Sequence, residues 1–147
     1  MTQVTIVCGA PGSGKTYWAT RQMVWGDVVL DIDLMFEAIT GLPLYDKPLS
    51  LLPVVLAMRD AVLAQLARPN QVQRAYIITS TTKHSEIAAI VRKTGARVVV
   101  METSSLMCLK RISTDERRCN KLEQWQELVQ RWFRDWRDYP GAEKVTG

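Results

Sequence analysis

Little in this sequence points to a metal cluster, a membrane or the secretory route. Its 147 residues include one histidine and three cysteines. Cys8, Cys108 and Cys119 have neither metal-ligand spacing nor the even count of a disulfide framework, and His84 alone cannot complete a zinc site with them. The thiols are expected to be reduced and mostly buried, as in a cytoplasmic protein. No apolar run approaches the roughly 20 residues of a membrane span, so no membrane partner is expected. The chain enters a strand pattern at once, so no signal peptide is expected. Internal repeats and low-complexity segments are absent.

What is present is a hydrophobic share of 47%, enough for one domain with a substantial core over residues 1–147. The net charge of +4 is unevenly spread: residues 1–60 hold four Lys/Arg against six Asp/Glu, and residues 61–147 hold fifteen against nine. The basic excess peaks between Arg92 and Lys121. It suits either a solvated surface or a groove facing polyanions, whether a triphosphate alone or a nucleic acid as well.

The most specific stretch is Gly9-Ala10-Pro11-Gly12-Ser13-Gly14-Lys15-Thr16, which matches the phosphate-loop pattern G-x-x-x-x-G-K-[ST] at every fixed position. Val4–Cys8 before it reads as a buried strand. Tyr17–Trp25 after it reads as a helix, with Trp18 and Trp25 seven apart. The three glycines let backbone N–H groups turn inward around an anion, and the helix N-terminus adds partial positive charge there. Lys15 is positioned to reach β- and γ-phosphates, and the Thr16 hydroxyl to ligate Mg²⁺. A bound nucleoside triphosphate is expected, ATP with Mg²⁺. No Asn-Lys-x-Asp guanine-reading segment occurs, which disfavours GTP.

Along the chain, Val28–Asp31 reads as a second strand and Leu34–Thr40 as one or two helical turns. Leu42–Pro53 is a proline-punctuated connector, suited to covering a substrate or to plain surface connection. Val54–Arg68 has helical spacing. Ala75–Thr79 and Arg97–Glu102 read as the third and fourth strands, with a helix over His84–Thr94 between them. Ser105–Ile112 is a short helix and Ser113–Asn120 a charged link. In the last helix, Leu122–Tyr139, the stripe Leu122, Trp125, Val129, Trp132 and Trp136 reads as core. The tail after Pro140 is expected to fray. The alternation gives a three-layer α/β P-loop NTPase fold, a parallel sheet of about four strands with helices on both faces.

In such a fold the ligand lies beyond the carboxyl ends of the strands. Asp31 and Asp33 fall there, and an extended backbone would point both to one side. Transfer to a hydroxyl needs a carboxylate to accept the proton, and Asp33 is the first candidate. Asp31 is the second, or it orients the metal's water shell; either residue could instead cap the helix that follows. The third strand ends in Thr79-Ser80 rather than in the acids that motor ATPases use there, so processive hydrolysis is disfavoured. Ser80 or Thr81 could donate to a substrate or cap the next helix. The link Arg111–Arg118 is lid-like. A guanidinium closing over the triphosphate would offset developing charge; Arg117 is the catalytic candidate, and Arg111 and Arg118 the nucleotide-binding ones.

These motifs, in this order, resemble the P-loop kinase group, and most nearly the polynucleotide 5′-hydroxyl kinases. The resemblance rests on Gly9–Thr16 followed by Tyr17-Trp18-Ala19, on Asp31-Ile32-Asp33, on Ile77-Ile78-Thr79-Ser80, and on Leu109-Lys110-Arg111 through Arg118. It implies an aspartate base, for which Asp33 is the nearest match, an arginine-bearing lid, and a nucleic-acid 5′-hydroxyl as favoured acceptor. The family commonly has an arginine or further acids beside that aspartate, where Leu34 stands here. A nucleoside-type or other small-molecule acceptor, and an ATPase acting on DNA or a protein partner, are the alternatives.

Overall fold

The computed structural model describes residues 1–147. Five strands form one sheet: β1 (Gln3–Cys8), β2 (Val28–Leu30), β3 (Arg74–Thr79), β4 (Arg97–Met101) and β5 (Glu143–Val145). Their order is β2-β3-β1-β4-β5, and each neighbouring pair is parallel. β1 and β4 are buried apart from their first residues, as strands covered on both faces must be. Alternation divides their side chains. Val4, Ile6, Ala75, Ile77, Val98 and Val100 join the larger core cluster, while Val7, Tyr76, Val99 and Met101 join the smaller.

Six helices cover the sheet: α1 (Lys15–Gln22), α2 (Ile32–Thr40), α3 (Leu52–Leu66), α4 (His84–Thr94), α5 (Ser105–Ser113) and α6 (Leu122–Asp135). Ala19 of α1 belongs to the smaller cluster, with Trp18 edge-on to Tyr76. Leu63 and Leu66 of α3, Ile87 of α4, Cys108 and Ile112 of α5, and Val129 and Trp132 of α6 fill the larger one. Because every strand runs the same way, the carboxyl ends of β1, β2 and β3 open on one edge of the sheet, where a doubly covered parallel sheet forms its crevice.

Several expectations are corrected. The tail after Pro140 is not frayed: β5 lies within it and pairs with β4, Val99 opposite Glu143 and Met101 opposite Val145. With β5 the sheet has five strands, in keeping with the parallel sheet of about four that the sequence led us to expect. Helix α1 begins at Lys15 and ends at Gln22, so Trp25 lies outside it and is 99% exposed; the sevenfold spacing of Trp18 and Trp25 marks no common face. Pro53 does not end the connector but sits in the first turn of α3, where its missing N–H costs nothing. Leu49–Leu66 corrects the reading that no apolar stretch nears a membrane span, since its 18 residues have mean hydropathy 1.6. Within the fold this helix places Val55, Leu63 and Leu66 in buried positions.

Candidate active site

The loop Gly9–Thr16 runs from the end of β1 into α1. Gly12 and Gly14 have φ of 78° and 90°, left-handed values that glycine adopts without strain. A Cβ on Gly12 would lie 2.7 Å from the Cys108 carbonyl oxygen and 3.0 Å from Ile112, so α5 braces the loop at close range. Thr103 Oγ1 donates to the Ser13 carbonyl at 2.8 Å, a second brace. Gly14 is the N-cap of α1 and offers no side-chain acceptor. The N–H groups of the first turn are therefore left for an anion. Gly9, Ala10 and Ser13 are buried beneath the loop, whereas Pro11, Gly12, Gly14, Lys15 and Thr16 line the cavity above it.

Lys15 Nζ donates to the carbonyls of Gly9 at 3.0 Å and Ala10 at 2.8 Å. Burial of the ammonium pulls its pKa down from 10.5 to about 8, against the upward pull of Asp31 and Asp33. Thr16 Oγ1 donates to Asp31 Oδ2 at 2.6 Å.

The two aspartates are not aligned by an extended backbone. Asp31 is the N-cap of α2, its Oδ1 accepting the Asp33 N–H at 2.9 Å. That cap starts the helix at Ile32 and puts Asp33 in its first turn. Both still face the same cavity. Asp33 Oδ1 pairs with Lys47 Nζ at 2.6 Å. Ser80 also lines the cavity, and neither it nor Thr81 caps α4, whose N-cap is Lys83.

The last turn of α5 and the link after it bring three arginines to this cavity. Arg111 donates to the Gly12 carbonyl at 3.4 Å. Arg117 and Arg118 are both held by Asp115, at 3.0 and 2.9 Å. Burial disfavours the Asp115 carboxylate, yet the side-chain and backbone hydrogen bonds of Arg117 and the charge of Arg118 outweigh it and bring its pKa to about 2. Across the mouth, Tyr45 lies 4.6 Å under the Arg118 guanidinium and meets Trp125 edge-on at 5.4 Å.

One cavity of about 670 Å³ collects Lys15, Thr16, Asp31, Asp33, Arg111, Arg117 and Arg118. It also holds residues that the sequence pattern did not single out as functional: Tyr45 and Lys47 from the connector, and Trp125, Leu128, Arg131 and Asp135 from α6. Trp125, read from the sequence as core, is half-buried: it packs against the larger core cluster and also lines the cavity wall. Six Lys/Arg face three Asp around this space, and no Asn, Gln, Glu or His lines it.

The donor set suits Mg²⁺. There is no cluster of three or more His, Cys, Asp or Glu, whereas a hydroxyl and a carboxylate stand together at the foot of the loop. Mg²⁺ is a hard cation that takes one or two protein oxygens and completes its shell with water and substrate phosphate.

A glycine loop between the central strand and a helix, in a parallel sheet of this order, defines the P-loop fold in its kinase-like form. The sequence model of the AAA domain family (AAA_33) matches residues 4–140, and the chain belongs to that P-loop kinase family. No curated protein sequence matches it. Among solved structures it is similar to a gluconokinase from Sinorhizobium meliloti 1021, with TM-score 0.61 and 19% identity, over 98% of this chain and 82% of that one. A sugar kinase from Janibacter sp. HTCC2649 gives 0.58 and 18%, over 100% and 85%. The Pnkp1/Rnl/Hen1 RNA repair complex gives 0.62 and 19%, over 98% of this chain and 50% of that one. At these identities the likeness is one of fold.

Proposed function

We propose that this chain is an ATP-dependent kinase that transfers the γ-phosphoryl group to a hydroxyl, with a nucleic-acid 5′-hydroxyl as the favoured acceptor. The observation that carries the reading is the convergence of the phosphate loop, a carboxylate at the end of β2 and the lid arginines on one cavity. The loop amides and Lys15 hold the phosphates, and Thr16 with Asp31 would hold Mg²⁺. When bound, that ion neutralises phosphate charge and orients the chain for in-line displacement. Asp33 takes the proton of the acceptor hydroxyl as its oxygen bonds to the γ-phosphorus; the bond to the bridging oxygen breaks and ADP leaves with the electron pair. Arg111, Arg117 or Arg118 offsets the charge on the transferring group.

The excess of cations over acids and the rings of Tyr45 and Trp125 favour a polyanionic acceptor with flat bases. A small-molecule acceptor is the second reading, favoured by the length match: the gluconokinase and the sugar kinase are covered over most of their chains. Incubation with γ-labelled ATP, Mg²⁺ and a panel of 5′-hydroxyl oligonucleotides, nucleosides and sugar acids tests both. Label on an oligonucleotide is expected. Label only on a small molecule selects the second reading, and free phosphate with no labelled acceptor selects an ATPase.

A further inference from the structure

The connector between α2 and α3 sends two side chains into the cavity from positions two residues apart. Tyr45 has φ 72°, a backbone conformation that a bulky residue keeps only where its surroundings fix it. The fixing groups are the guanidinium carbons of Arg118 and Arg117, 4.6 and 5.4 Å from the ring centre, and the Trp125 ring at 5.4 Å. With the chain pinned there, Lys47 Nζ reaches Asp33 Oδ1 at 2.6 Å, both side chains lining the cavity and less than a third exposed.

We propose that Lys47 is a positioning residue that guards Asp33. It occupies the carboxylate until an acceptor hydroxyl displaces it, and so suppresses phosphoryl transfer to water. This rests on the kinase reading above. Water enters any open cavity, but it has no remote groups whose binding could drive the ammonium off the carboxylate. An acceptor anchored elsewhere in the cavity does have them. The suppressed step is hydrolysis. A water oxygen bonds to the γ-phosphorus and the bond to the bridging oxygen breaks. ADP leaves with the electron pair, and the water proton passes to Asp33.

The test is phosphate release from Mg–ATP with no acceptor, in the native protein and in Lys47→Ala, Lys47→Arg, Tyr45→Ala and the double variant Lys47→Ala/Asp33→Asn. ATP affinity of Lys47→Ala is followed by calorimetry. Release is expected to rise about tenfold in Lys47→Ala, a fraction of what a freed general base supplies, with ATP affinity unchanged. It rises in Tyr45→Ala as the anchor is lost, stays at the native level in Lys47→Arg, and falls back in the double variant. Unchanged or slower release from Lys47→Ala overturns the guard, as does fast release from the double variant. A native protein that labels an acceptor while Lys47→Ala shows no rise sinks this inference alone. Absence of any turnover removes the kinase reading with it.

Discussion

The hydroxyl of Thr16 donates a 2.6 Å hydrogen bond to Asp31 Oδ2, tying the first turn of α1 to the N-cap of α2. An ionised carboxylate only accepts, so the Thr16 proton is fixed on Asp31 and the hydroxyl lone pairs remain for a cation. Asp31→Asn keeps an oxygen for the cap and is expected to fold with little loss of stability. Its amide no longer fixes that proton, and the apparent Mg²⁺ affinity is expected to fall about 10- to 100-fold, the usual effect of losing an orienting partner. The Mg²⁺ dependence of turnover measures this. An unchanged dependence would mean that the pair serves the cap alone.

Asp33 enters the cap of α2 only through its backbone N–H, and its side chain makes no capping hydrogen bond. Asp33→Asn is therefore expected to leave ATP affinity within about threefold while lowering kcat by about 10²- to 10⁴-fold, the range of a lost general base. Steady-state kinetics beside calorimetry separates the two effects. Loss of ATP binding to the same degree would assign Asp33 to the nucleotide instead.

The buried ammonium of Lys15 titrates near 8 before nucleotide binds. A bound triphosphate holds it protonated, so binding takes up a proton once the pH passes about 8. From this pKa, ATP affinity is expected to weaken about tenfold between the low-pH plateau and pH 9, with close to one proton taken up there and about 0.1 at pH 7. Calorimetry in buffers of different ionisation enthalpy counts the protons. Affinity that stays flat to pH 9 would place the lysine outside the anion site.

Asp115 holds Arg117 and Arg118 together, and its pKa lies at about 2 instead of 3.8. A depressed carboxyl stabilises the fold above its ordinary pKa, and the contribution disappears as pH falls through the folded value. Asp115→Ala is expected to cost about 1 kcal/mol at pH 7 after allowance for solvent screening. The difference from the native protein should shrink between about pH 4 and pH 2. Denaturant melts at pH 7 and pH 3 check it. A difference that grows on acidification would contradict the pairing.

The parts of the site that were legible in sequence are those where chemistry dictates residue type at fixed spacing. Gly12 and Gly14 must take left-handed φ, Lys15 and Thr16 must follow them, and Val4–Cys8 must be buried on both faces. The misread or missed parts obey weaker rules. β5 is Glu-Lys-Val at a sheet edge, held by backbone pairing to β4, and an edge strand in solvent needs no hydrophobic pattern. Trp125 shares the helical stripe of Val129 and Trp132 and packs against the core with them, but periodicity distinguishes one face of a helix from another and does not show that the ring also lines a cavity. Tyr45 and Lys47 lie on an irregular connector with no period at all. The three prolines around them were the available signal, and these mark a loop of fixed shape without saying where its side chains reach.

The central claim is that the loop Gly9–Thr16 grips a magnesium-bound triphosphate through its amides and Lys15. Titrating Mg–ATP into the purified protein at pH 7, beside Lys15→Ala, tests it most directly. One site per chain in the native protein, lost in a variant that melts as the native one does, is the predicted result. No uptake of ATP by the native protein, or equal uptake by both, would contradict it.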